Sequence, residues 1–304
     1  MGHRRRVIAA LVCVVLAGCS SGTEVDSAGE APTSGAAATE YPLPFGLEQV
    51  QGTVAVAPPV VAEQITGTFN GEPIQVTSLR AAYQVTGSPQ EVMAAWLDQF
   101  AELGLGELSV TTASMQASTA PLPWLQLSTY APKSYANAEL WSTTGEPILL
   151  IEVDLSPDTE SVPAAPPELP ELPIAPAPVP PALAAQGDTI FGAQGAEVHL
   201  PSEAEQVMPS VPSMSGTDGE VVMLRTDDPL ATVSALVQEA YDFNEARPQH
   251  ERGSIDGPHE GELDGSTTVT ARFNSGSGGW GFTVLASQAP GDDVASVWVR
   301  TGAD

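Results

Sequence analysis

The sequence predicts an α+β protein: two tandem, similar domains, each an antiparallel sheet with one covering helix, joined by a Pro-rich linker. Three observations predict it. Ser88-Pro89-Gln90-Glu91 and Asp228-Pro229 are capped helix starts, and each precedes an apolar stripe at helical spacing. Near them lie runs in which apolar residues recur at every second position, the mark of strands with one buried face. Residues 156–186 hold ten prolines, a density that excludes both helix and central strand.

The chain opens on Gly2-His3-Arg4-Arg5-Arg6 and an apolar run from Val7 to Leu16. That run is short of the roughly 20 residues a spanning helix needs, so residues 1–18 read as a secretory signal. Leu16-Ala17-Gly18-Cys19 resembles the lipobox of bacterial lipoproteins. The resemblance implies cleavage after Gly18, diacylglycerol on the Cys19 thiol, and a chain anchored to the extracytoplasmic face of the cell membrane without spanning it. Each buried acyl methylene contributes about 0.8 kcal/mol to such an anchor. Cys13 leaves with the signal, so the processed chain has no partner with which to form an internal disulfide. Residues 19–40 are small, polar and acidic, and read as a disordered tether with a reach of roughly 25 Å.

Residues 41–155 form the first expected domain and residues 187–304 the second. Leu43-Pro44 and Leu200-Pro201 open them, with Glu48-Gln49-Val50 and Glu205-Gln206-Val207 at the same offset of 157. Asn70-Gly71 and Asp218-Gly219 are turn dipeptides that lead into strands at Ile74–Val85 and Val221–Leu224. The helix stripes are Val92, Trp96, Phe100 and Leu103, and Val233, Leu236, Val237, Ala240 and Tyr241, with stops at Gly104 and Pro248. Strands follow: Leu149 to Leu155 in the first domain, then Val269 to Phe273, Phe282 to Ala286 and Val297 to Val299 in the second. Polar residues between the apolar ones suggest that the second face of each sheet is solvated. The linker reads as a polyproline II spacer, with Pro163 to Pro181 spanning roughly 60 Å if extended.

A net charge of −28 excludes nucleic acid and anionic headgroups as partners of a basic face. Zinc-hydrolase, nucleophile-elbow, Walker and dinucleotide motifs are all missing. His250 and His259, with Asp256, Glu262 and Asp264, read as a solvated acidic loop rather than a calcium cradle, so no metal and no cofactor are expected. The carboxylate pairs Asp227/Asp228, Asp292/Asp293 and Glu260/Glu262 are too ordinary in so acidic a chain to mark a catalytic site. Trp96 belongs to the helix stripe, and Trp124, Trp141 and Trp298 lie in strand-like runs. Trp280, between two glycines, is the one most open to stack on a sugar or a partner's proline. The expected function is a lipid-anchored, non-enzymatic interaction or accessory module that docks an envelope protein or wall polymer. The alternative is a carrier of an apolar or peptide ligand between sheet and helix, beside Trp96 and Phe100.

Overall fold

Prolines break the first edge of each sheet in the same way, and the two halves are built around that break. In the first half the elements are β1 (Thr53–Ala55), β2 (Val60–Phe69), β3 (Glu72–Val85), α1 (Pro89–Leu103), β4 (Ser109–Thr112), β5 (Leu125–Ala131), β6 (Ser134–Trp141) and β7 (Ile148–Leu155). A small hairpin, β8 (Thr189–Ala193) and β9 (Ala196–His199), opens the second half. It continues as β10 (Ala204–Gln206), β11 (Val211–Ser213), β12 (Gly219–Thr226), α2 (Pro229–Ala246), β13 (Ser254–Leu263), β14 (Ser266–Asn274), β15 (Gly281–Gln288) and β16 (Ala295–Gly302). The sheet orders are β1-β3-β7-β6-β5-β4 and β10-β12-β16-β15-β14-β13, with β2 also on β3 and β11 also on β12. This computed structural model describes residues 41–113, 122–179, 183–193, 196–213, 219–249, 252–274 and 281–302.

Pro58-Pro59 separates β1 from β2 along the edge of β3, and Pro209 separates β10 from β11 along the edge of β12. Val56 N–H donates to Ala82 O at 2.9 Å just before the first break, and Val207 N–H donates to Met223 O at 3.0 Å just before the second. The offset there is 151, not the 157 suggested by the Leu-Pro openings. Both openings do make a turn, Leu47 N–H to Pro44 O and Ala204 N–H to Pro201 O, but the first half then inserts a second turn before its strand.

The helices form where the sequence places them. The Ser88 hydroxyl accepts from Glu91 N–H, and Asp228 accepts from Ala231 N–H. Gly104 ends α1 in the left-handed conformation at φ 66°, which an L side chain resists. α2 stops at Arg247, which is extended before Pro248. Asn70 and Gly71 take φ 53° and 86° in the β2–β3 turn, as a type I′ hairpin demands. Tyr241 departs from its expected stripe and is exposed.

The α+β class does not hold: the described residues form sixteen strands against helices of 15 and 18 residues, a mostly antiparallel β architecture. Short or polar strands were hidden in the sequence. β13 is the clearest case, since its Gly, Pro, His and acids read as loop, whereas it is an edge strand with a bulge between Asp256 and His259.

The solvated second face is also corrected. Each helix covers the outer face of its own sheet: Val92, Trp96 and Phe100 pack on Leu79, Leu149 and Ile151, while Val233 and Leu236 pack on Val284 and Val297. The inner faces meet each other. Val60, Ala82, Trp141, Ile148 and Leu150 from the first sheet pack with Met208, Val221, Met223, Leu285 and Trp298 from the second. The described residues are therefore one unit, layered helix, sheet, sheet, helix. Ser287 stitches the layers: its hydroxyl donates to Pro59 O at 3.3 Å and accepts from Val61 N–H at 3.2 Å.

Far from standing free as a spacer, the Pro-rich segment is a strap laid on the first half. Val162 N–H donates to Gly104 O at 3.0 Å, and the Gln90 amide holds Pro170 O at 3.1 Å and Leu172 N–H at 3.0 Å. Trp124 Nε1 donates to Pro173 O at 2.9 Å, so this indole anchors the strap. Leu169 and Leu172 pack against the first core, and Val179 enters the inter-sheet core beside Ser142.

Candidate functional site

Strand alternation places charge on an inner face. In β7, Leu149, Ile151 and Val153 face α1, which turns Ile148, Leu150, Glu152 and Asp154 toward the second sheet. Register does the rest. Arg80 of β3 lies opposite Glu152, which lies opposite Asn137 of β6. Ser78 lies opposite Asp154, which lies opposite Tyr135, which lies opposite Tyr130 of β5. Along β6, Glu139 follows Asn137 on the same face, with Trp141 next. Toward Ile148 and Trp141 the interface is apolar, whereas toward Asp154 and Tyr135 it is charged.

At the charged end the sheets part around a cleft of about 400 Å³. Its walls include Arg80, Tyr135, Asn137, Glu139, Glu152 and Asp154 from the first sheet, and Arg272, Thr283, Trp298 and Arg300 from the second. Tyr130, exposed, stacks on Tyr135 with ring centroids 6.4 Å apart.

The charges are matched in pairs. Arg80 Nη1 lies 2.8 Å from Asp154 Oδ1 and Nη2 donates to Oδ2 at 3.1 Å; the same guanidinium donates to the carbonyls of Leu79 and Val153 and to Tyr135 Oη. Burial opposes the Arg80 charge, but Asp154, Tyr135 and Glu152 more than offset it, so its pKa stands above the ordinary arginine value. Arg300 reaches across from the second sheet to Glu152 Oε2, which also accepts from Tyr135 Oη at 3.4 Å. Burial likewise opposes the Arg300 charge, and Glu152 foremost restores it and raises its pKa. Tyr135 is pushed up by burial against the pull of Arg80.

Glu139 differs. Its oxygens accept from Asn137 Nδ2 at 2.9 Å and Trp141 Nε1 at 3.1 Å, but no basic side chain hydrogen-bonds to it. Burial, and after it the Glu152 charge, push its carboxyl up to about 7, against the pull of those donors and Arg300. Three polar atoms in the cleft walls are buried without a hydrogen-bond partner: Glu152 Oε1, Trp298 Nε1 and Asp154 Oδ1, of which the last is still ion-paired with Arg80 at 2.8 Å.

None of these residues stood out in the sequence as a site. The available signal was charge inside strands of otherwise buried pattern: Leu79-Arg80-Ala81, Ala138-Glu139-Leu140 and Ile151-Glu152-Val153-Asp154. The residues that did stand out are elsewhere. Cys19, Trp280 and His250 lie outside the described residues. His259 pairs with Asp256 at 2.7 Å on exposed β13, and among the described residues no group of three or more His, Cys, Asp or Glu could hold a metal ion. Asp228 is the α2 cap, and Asp292 closes a turn after β15. Trp96 and Phe100 are packed core that lines no part of the cleft. No helix among the described residues is long and apolar enough to cross a membrane.

No family model matches the chain, and no curated protein matches it. Among solved structures, an acyl-CoA thioesterase II from Mycobacterium marinum aligns over 81% of both chains at 11% identity with a TM-score of 0.17, too low to indicate a shared fold.

Proposed function

We propose that this is a lipid-anchored extracytoplasmic protein that binds a small polar ligand in the cleft between its two sheets. The observation that carries the reading is the cleft itself, with Arg80, Glu139, Glu152, Asp154 and Arg300 brought to one end of the interface. Buried charge costs free energy unless it is paired, and apolar residues would close this end more stably. Its volume falls in the range of small-molecule sites. The position departs from the expected one between sheet and helix, and the polar lining departs from the expected apolar or peptide ligand. Anchoring rests on Leu16-Ala17-Gly18-Cys19 alone.

A catalytic reading draws on Glu139, a carboxyl that titrates near 7 in a cleft. Each Glu139 oxygen accepts one hydrogen bond, which holds the carboxyl in place and leaves lone pairs for a bound ligand. Two experiments test the proposal. Palmitate should label the wild-type chain and not Cys19→Ala. Native mass spectrometry of the detergent-extracted protein should show a retained small molecule that is lost in Thr283→Phe, where the larger side chain opposite Arg300 fills the cleft. A wild-type protein that emerges empty under conditions that keep it folded would sink the reading.

A further inference from the structure

We infer that the cleft takes a small organic cation, a primary ammonium or guanidinium group seated beside Glu139 and Glu152, with an adjoining acceptor on the ligand facing Trp298. The inference rests on the binding reading above and names the chemistry of its ligand. It follows from which hydrogen-bonding groups of the cleft are already occupied.

The basic side chains have their partners. Arg80 serves Asp154, Tyr135 and two carbonyls, Arg300 serves Glu152, and Arg272 donates to Thr66 O at 2.9 Å. The surplus lies with the acids. Glu152 is 3% exposed, and its Oε1 receives no hydrogen bond; Glu139 is 4% exposed and has no base bonded to it. The register sets the two carboxylates on neighbouring rows of one face, Glu152 opposite Asn137 and Glu139 opposite Leu150. Their mutual repulsion helps raise the Glu139 pKa. A buried acceptor without a donor is costly, and a positive donor between two carboxylates relieves both the missing bond and the repulsion. An anion would meet acids without donors and guanidinium groups already engaged. At the mouth, exposed Tyr130 stacks on Tyr135, whose ring already faces the Arg80 guanidinium 5.8 Å from its centroid, so Tyr130 is the aromatic ring left to attract an organic cation. The buried, unpartnered indole N–H of Trp298 asks for an acceptor beside the charge. A metal ion fits less well, because no group of three ligating side chains gathers there among the described residues.

The test uses the full chain in detergent micelles and three probes of similar shape: 4-guanidinobutanamide, its neutral analogue 4-ureidobutanamide, and the anion succinamate. The readout is the Trp298 indole N–H resonance, assigned with Trp298→Phe. The guanidino compound should shift it saturably, and the other two should not. Glu152→Gln should weaken binding by ~10-fold or more. Tyr130→Ser, exposed at the mouth and safe for the fold, should weaken it by about threefold. At pH 7 calorimetry in buffers of different ionisation enthalpy should show proton release, as the cation drives Glu139 to its charged form. Equal or better binding of the urea or the anion overturns the cation assignment and leaves the cleft reading standing. Silence from all three probes also overturns it, and the cleft reading is then decided separately by the ligand retained or lost in Thr283→Phe.

Discussion

Both oxygens of Glu139 accept hydrogen bonds, yet its carboxyl titrates near 7 instead of its ordinary 4.5. Below about pH 4.5 the folded and unfolded chains both hold this proton. Between about 4.5 and 7 the unfolded chain releases it and the folded chain keeps it, so stability falls as pH rises through that window, by on the order of 3 kcal/mol. Glu139→Gln should abolish this component. Urea midpoints at pH 5 and pH 8 should converge in the variant relative to wild type. Arg80 and Asp154 permit a second prediction. Arg80→Met strands a buried carboxylate and should cost about 3–5 kcal/mol, whereas the double variant Arg80→Met/Asp154→Leu should recover much of it. Chemical denaturation of the three proteins checks this through the coupling energy.

At the scale of the element, α1 and the strap depend on each other. Gln90, on the first turn of α1, uses its amide oxygen and nitrogen on Leu172 and Pro170. Gln90→Ala should release that contact at a cost of about 1–2 kcal/mol, seen as faster hydrogen exchange at the Leu172 amide with the α1 core unchanged. Gly104 is tighter still. A Cβ there would stand 2.6 Å from the Val162 backbone, on a residue at φ 66°. Gly104→Ala should therefore lower Tm and open the strap to proteolysis around 157–173. Elements such as α1 were legible in the sequence because their signals are local: a serine cap, a proline at the first turn, a stripe, a terminal glycine. The Asn70-Gly71 hairpin was legible for the same reason. β13 was not, because a bulged edge strand carries glycine, proline and acids like a loop. The strap could be recognised as polyproline but not as docked, since its bonds to Trp124, Gly104 and Gln90 lie 49 to 82 positions away in the chain.

At the scale of the whole molecule, one face of each sheet was legible and the other was not. Leu149, Ile151 and Val153 read as buried because they are apolar. Glu152 and Asp154 read as solvated because they are charged, and only Arg80 and Arg300, 74 and 148 positions distant, make their burial tolerable. The same pairing hid the site and the joining of the halves. Because the inner faces share one core, residues 41–302 should unfold in a single transition, with calorimetric and van't Hoff enthalpies equal. Met223→Ala, in that core, should cost about 2–5 kcal/mol and shift the signals of Trp96 and α2 together. The docked strap has a consequence for assembly. A crossover held against α1 from Val162 to Leu172 and tied at Val179 to Ser142 O shortens the free length with which the second sheet could reach a different molecule, which favours each chain closing on itself. Crowding such chains in solution then favours separate monomers over exchanged pairs, and only a released strap would let neighbours trade halves.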